Sequence, residues 1–184
     1  MNSGGDIGIE GKAGSVPELA NNLERITQNF ITEVGDIQLN DEQKRIYNAF
    51  VYRRRKPYKF SVVDKYGNTI RFILPTNNKR EGVVHILQKH YNGNVGKVTA
   101  SEILSFLEVI RKGNLTAENN TMTYKYNLNN VCYSLIVGIK ETPSNNILKS
   151  FYSDKEKGFG TDCFANRVDS NSKTLTIAKI TTNN

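Results

Sequence analysis

The chain has 184 residues, 38% of them hydrophobic and 23% charged, and 25 Lys and Arg against 18 Asp and Glu leave it a formal charge of +7. Such a composition excludes a chain disordered throughout and suits one domain with its own core, while the basic balance favours a polyanionic partner: RNA, DNA, a membrane surface or an acidic protein. No apolar run approaches the roughly 18 residues a spanning helix needs, and Cys132 and Cys163 are too few for a cysteine-stapled secreted scaffold, so both are expected to be free.

Residues 1–14, "MNSGGDIGIEGKAG", read as a flexible leader without the apolar stretch of a signal peptide, so if the protein leaves its cell this segment does not direct it. "SVPELANNLERITQNFITEVG" follows. Ser15 and Glu18 stand at capping-box spacing, and Leu19, Leu23, Ile26, Phe30 and Val34 recur at helical intervals before Gly35, which predicts an amphipathic helix. A second helix is expected from about Asn40, with Ile46, Tyr47, Phe50 and Val51 on one face and a basic run, "YRRRKPYK", ending it before Pro57. Residues 15–56 are thus an N-terminal helical segment. Arg53, Arg54, Arg55 and Lys56 concentrate charge among aromatic rings and are candidates for RNA binding; the competing reading is a solvated helix end whose cations favour the C-terminal dipole.

The period then changes. "YKFSVVDKYGNTIRFIL" places two β-prone runs around a Tyr-Gly-Asn turn and predicts a hairpin. After a polar loop comes "EGVVHILQKHYNGN", a helical stretch, and then "TASEILSFLEVIRKG", where Thr99 and Glu102 form a capping box, Ile103, Phe106, Leu107 and Ile110 supply an apolar face and Gly113 closes the helix. Three further runs, "TYKYNL", "VCYSLIVGI" and "ILKSFYS", are joined by Asn-Asn and by "KETPSNN" and read as an antiparallel meander; "TLTIAKI" reads as a last strand. Helices separate from runs of strands predict an α+β domain, helices packed against an antiparallel sheet, with no parallel crossover suggested. The larger domain is expected over residues 57–184.

Both histidines lie in "EGVVHILQKHYNGN". Imidazole is the side chain that both accepts and donates a proton near neutral pH. On a regular helix, five steps of about 100° separate His85 and His90 by roughly 140°, so the two rings do not point straight into one site unless the helix starts or ends between them. His90, at the expected helix end beside the apolar face, is the stronger candidate. The bland alternative for each is a histidine bonded to a backbone carbonyl or exposed on the surface. The spacing differs from the i, i+4 pair of a metalloprotease helix, and no nucleophile elbow or Gly-rich phosphate loop appears, so no metal and no cofactor are expected. In "ILKSFYSDK", Lys149 could stabilise charge on phosphorus, Ser150 could bond a phosphate oxygen and Tyr152 could stack or donate. Strand alternation puts Lys149 and Ser150 on opposite faces unless the strand twists or bulges.

Taken together, "HILQKH" on a helix, a capped second helix, a meander and a late "LKSFYS" resemble the barnase–EndoU–colicin–RelE-like superfamily of metal-independent ribonucleases, in particular versions found as C-terminal toxin modules of bacterial polymorphic or contact-dependent systems and in phage-associated proteins. The likeness covers roughly Tyr58 to Tyr152. It implies a helical layer on an antiparallel sheet, with an RNA phosphate in the cleft between them, and cleavage by attack of the ribose 2′-hydroxyl on the adjacent phosphorus to leave a 2′,3′-cyclic phosphate. By the same resemblance His85 and His90 match the helix histidines, Lys149 and Ser150 the late basic and hydroxyl positions, and Tyr152 the nearby aromatic. The function so implied is an RNA-cleaving toxin domain acting on tRNA or other cytoplasmic RNA, delivered as part of a secreted effector into a target cell and neutralised by an acidic immunity protein. The alternative is a non-enzymatic nucleic-acid-binding or phage structural protein.

Overall fold

The computed structural model describes residues 16–53, 56–155 and 163. The expected roles of Ser15, Arg54 and Arg55, and the expected last strand "TLTIAKI", lie outside the described residues.

Two helices open the chain, α1 (Val16–Val34) and α2 (Asp41–Tyr52). Ile26, Phe30 and Val34 of α1 are buried, as the periodicity requires, and Phe30 stacks on Phe50 of α2 with ring centroids 5.5 Å apart. The α2 start is set by a capping box in which Asn40 accepts from the Gln43 amide and Gln43 accepts from that of Asn40, satisfying two otherwise orphaned donors. Both helices share one core cluster with the rest of the chain, so residue 56 marks no break in packing.

Strands β1 (Tyr58–Val63) and β2 (Thr69–Leu74) form the expected hairpin, with Phe60 and Val62 facing inward and Lys59, Ser61 and Arg71 outward. After α3 (Gly82–His85) and a π-helical turn, Ile86–Tyr91, the capped helix starts as predicted, with Thr99 accepting from the Glu102 amide. It is not one helix. α4 (Ala100–Leu104) and α5 (Leu107–Lys112) are separated by a break at Ser105 and Phe106. The break sets the fully buried Phe106 edge-on to Phe60 and near Phe151, at 6.0 and 6.2 Å, so tertiary packing overrides a continuous helical pattern.

The remaining strands are β3 (Asn114–Glu118), β4 (Thr121–Leu128), β5 (Val131–Gly138) and β6 (Ile147–Ser153). The Asn119-Asn120 and Asn129-Asn130 turns have positive φ at both residues, between 48° and 62°. That is the backbone a two-residue hairpin loop needs, and asparagine tolerates it better than most side chains. β3 is absent from the sequence-based expectation because it is an edge strand with little apolar alternation.

The sheet order is β1-β2-β6-β5-β4-β3. Every pairing is antiparallel except β2 with β6, which run parallel and pair through Ile73 and Ile147. This junction corrects the expectation that no parallel crossover occurs: the chain leaves β2, builds the central helices and the meander, and returns beside it. α5 packs against β1 as well as β4 and β5, so the sheet curls around it. Arg111 of α5 ties the helices together through a two-pronged ion pair with Glu42 of α2 and a 2.8 Å pair with Glu108.

Cys132 and Cys163 are joined by a disulfide, their Cα atoms 5.5 Å apart, which corrects the expectation that both are free. They lie 31 residues apart in the chain, and only the fold brings them together. Asp154 holds the neighbouring backbone, donating its amide to the Cys132 carbonyl at 3.0 Å and accepting from the Cys132 amide at 2.6 Å.

Candidate active site

The α3 helix passes into the π-helical turn at His85. There the Asn92 amide reaches back five residues to the Leu87 carbonyl, at 2.9 Å. A helix bonded i to i+5 is wider than an α-helix and brings residues five apart nearly one above the other. The 140° argument therefore fails in this stretch. The rings of His85 and His90 lie 5.1 Å apart, edge to face, while Val83, Ile86 and Leu87 anchor the same segment in the core.

The site's second side is the outer face of β6. Val137 pairs with Leu148 and Ile136 with Ser150, leaving Lys149 as an extra residue in a β-bulge. Ile147, opposite Gly138, lies on the outer face with Ile136 and Ser150, whereas Leu148 and Phe151 face the core. A Cβ built on Gly138 would fall 2.5 Å from Lys149 Cε, so the lysine stem lies across that bare backbone on the outer face. The bulge thus puts Lys149 and Ser150 on one face.

His90 joins the two sides. Its Nδ1 lies 3.0 Å from the Val95 carbonyl oxygen and its Nε2 3.0 Å from Ser150 Oγ. A carbonyl only accepts, so Nδ1 carries the proton; in the neutral ring Nε2 then holds a lone pair and accepts from the Ser150 hydroxyl. Tyr152 lies beside the imidazole, ring centroids 5.4 Å apart and planes tilted by 31°. Burial holds His90 below the ordinary imidazole range, the Val95 carbonyl partly offsets this, and the charges of His85 and Lys89 push it further down. His85 is lowered by burial as well, opposed by its hydrogen bond to the Lys79 backbone and assisted by Lys89. Both shifts favour the neutral ring, the form that takes a proton.

Three residues that sequence reasoning missed hold this geometry. Gly96 sits at φ +65°, and a Cβ there would come within 2.9 Å of Tyr152 Cβ and 3.1 Å of His90 Nδ1. Only glycine fits. The Gly96 carbonyl accepts from the Ser153 amide at 3.2 Å, tying the loop to the side of β6 away from β5. Val95 supplies the carbonyl that selects the tautomer, a role invisible in a side-chain reading. Glu33 of α1 accepts from the Tyr91 hydroxyl and the Ala100 amide, both at 2.8 Å, and so clamps the two ends of the loop.

Of the expected site residues, His85, His90, Ser150 and Tyr152 meet directly or through His90, and Lys149 shares their face. Arg53 and Lys56, the described residues of the basic run, take no part in these contacts. Arg53, at the end of α2 with φ 40°, donates to Thr27 Oγ1 at 2.5 Å and to the Phe50 carbonyl at 3.2 Å, while Lys56 is exposed. A recess of about 350 Å³ on the helix side of the sheet is lined by Glu102, Glu108, Lys112 and Tyr133 among others. Its carboxylates are already paired with Lys155 and Lys112, and among the described residues none of the expected site residues lines it. Compared with family models, with curated proteins and with solved structures, the chain has no match.

Proposed function

We propose that this protein is a metal-independent endoribonuclease that cleaves RNA through attack of the ribose 2′-hydroxyl, as the resemblance of its motifs to the barnase–EndoU–colicin–RelE-like superfamily implies. The observation that carries the reading is the relay from Ser150 Oγ through the His90 ring to the Val95 carbonyl, with a second imidazole 5.1 Å away. Two imidazoles beside a hydroxyl and an ammonium supply proton transfer and charge stabilisation, which is what this reaction asks of a protein, because the nucleophile is already in the substrate.

In this mechanism the substrate 2′-hydroxyl displaces Ser150 from His90 Nε2 and gives up its proton there. The 2′-oxygen bonds to phosphorus, the bond to the 5′-oxygen breaks, and His85 in its protonated form delivers a proton to that oxygen. Lys149 and the freed Ser150 hydroxyl bond the phosphate oxygens as negative charge gathers on them, and Tyr152 supports the His90 ring. The products are a 2′,3′-cyclic phosphate and a 5′-hydroxyl. The substrate's own negative charge raises the pKa of His85 back toward the range where it holds a proton.

A basic surface suits an RNA substrate, tRNA among the candidates, to which Lys56 would add charge. An acidic protein closing over the same face would neutralise it, and the toxin reading adds delivery by a secreted effector into a target-cell cytoplasm. The test is incubation of total RNA with the protein in excess EDTA, followed by mapping of product ends. Cyclic phosphate ends at a single anticodon would establish class and substrate together. Salt-sensitive binding without products, unchanged by replacing either histidine, would favour the binding module instead. Were purified His90→Ala to cut as fast as the parent, the site assignment would be wrong.

A further inference from the structure

The outer sheet face does not end at the histidines. Cross-strand partners share a face, so Lys59 and Ser61 of β1, Arg71 and Ile73 of β2, and Ile147, Ser150 and Tyr152 of β6 form one continuous surface, with the Ile73–Ile147 pair at its middle. At its far end lies a recess of about 250 Å³ lined by Arg45, Lys59, Ser61, Arg71 and Ser144, together with Phe60 and Phe72. Three cations and two hydroxyls line it and, among the described residues, no carboxylate does. Among the described residues none of the three cations takes part in an ion pair, in contrast to Arg111, Lys112 and Lys155 on the helix side.

Arg45 is held in place. Its guanidinium donates to the Lys59 carbonyl at 2.5 Å and lies 5.1 Å from the centre of the Phe60 ring. That fixes the orientation of its fork while leaving further N–H donors open. Like charges gathered in one recess repel one another, and an anion seated between them relieves that repulsion; planar guanidinium donors and hydroxyls match the oxygens of a phosphate.

We propose that this recess is a phosphodiester-binding subsite that holds the RNA strand at a distance from the cleaved bond. The proposal rests on the ribonuclease reading for its substrate, and on the charge and geometry of the recess for its place. Strand geometry puts Arg71 roughly 14 Å from Ser150, about four ladder steps along the strands, since the bulge at Lys149 absorbs one residue, and one strand across. A single strand covers that span in a few nucleotides, and sites of several nucleotides are usual for such grooves. The subsite therefore favours chains over dinucleotides.

The test uses a fluorescent 2′-O-methyl RNA of roughly twelve nucleotides, which cannot be cleaved, titrated against the full chain at several salt concentrations. In the Lys59→Gln, Arg71→Gln double variant the dissociation constant should rise about tenfold, and the log–log salt slope should shrink by about 1.4, or 0.7 for each single-strand phosphate left without its cation. The control is Lys44→Gln, Lys65→Gln, which removes the same charge outside the recess and should leave affinity within about twofold. An unchanged constant and slope in the first variant overturn the proposal, as does an equal loss in the control. Wild-type protein that binds with the expected slope but never cuts RNA would sink the ribonuclease reading and leave the subsite standing; wild-type protein that does not bind at all would overturn both.

Discussion

Strand β6 presents two faces that are built differently. Leu148 and Phe151 point inward, 0% and 1% exposed, and Phe151 packs against Tyr133 and Phe106. Ser150 and Tyr152 point outward and meet the imidazole of His90. The inner face is held by burial and close packing, which many apolar side chains could approximate. On the outer face a hydrogen-bond chain fixes which nitrogen of one ring carries a proton. Substitutions on the two faces should therefore fail in different ways: inner ones in stability, outer ones in chemistry.

The largest expected effects test that contrast head on. His90→Ala should lower the rate of RNA cleavage by about a thousandfold, the middle of the range for losing a proton-transfer group, while its thermal midpoint stays within a few degrees of the parent. Phe151→Ala should do the reverse, losing about 3–5 kcal/mol in urea denaturation while the folded fraction cleaves at close to the parental rate. Should the two variants show the same profile, the division between the faces is wrong.

Gly96 lies where the two modes meet, and its replacement should show both. Alanine there must adopt φ +65° and press on Tyr152 and His90, so Gly96→Ala is expected to cost about 1–3 kcal/mol of stability. It should also slow cleavage by about a hundredfold through a small displacement of the ring. Normal activity in a destabilised Gly96→Ala would show that the loop supports the fold alone.

A finer test uses protons. Because the Lys89 charge lowers both imidazoles, Lys89→Gln should raise their pKa values and move the acid limb of the kcat/KM profile to higher pH by less than about one unit, with NMR titration of the ring protons as an independent reading. Stability should carry the same signature. Both folded-state pKa values lie below the unfolded value of about 6.5, so as pH falls from there the unfolded chain takes up protons that the folded one refuses, and stability declines toward the folded pKa. Urea midpoints at pH 7.5 and 5.5 should differ less in His85→Gln, His90→Gln than in the parent.

Much of the fold could be read from local pattern. The start of α2 near Asn40, the capping box at Thr99, the hairpin of β1 and β2 and the Asn129-Asn130 turn are short-range devices, in which side chain and backbone a few residues apart settle the outcome. The list of candidate site residues was legible for a similar reason, since imidazole, ammonium and hydroxyl announce their chemistry wherever they stand. The geometry was not. A helical wheel assumes one period, and the π-helical turn changes it between Ile86 and Tyr91; strand alternation assumes no insertion, and the bulge at Lys149 is one. Gly96, Val95 and Glu33 gave no signal at all, because a bare Cα, a backbone carbonyl and a carboxylate on a polar helix face are common in any sequence.

The sequence by itself determined that this chain folds as α+β, where most of its elements begin and end, and which side chains could move a proton. Only the tertiary structure decided that His85 and His90 stand side by side, that Lys149 shares a face with Ser150, and that Cys132 reaches Cys163. The physical reason is range. Caps, turns and apolar periods are contests between neighbours along the chain, while the site depends on where a helix and a strand 60 residues apart come to rest against each other, and that is settled by the packing of the whole core.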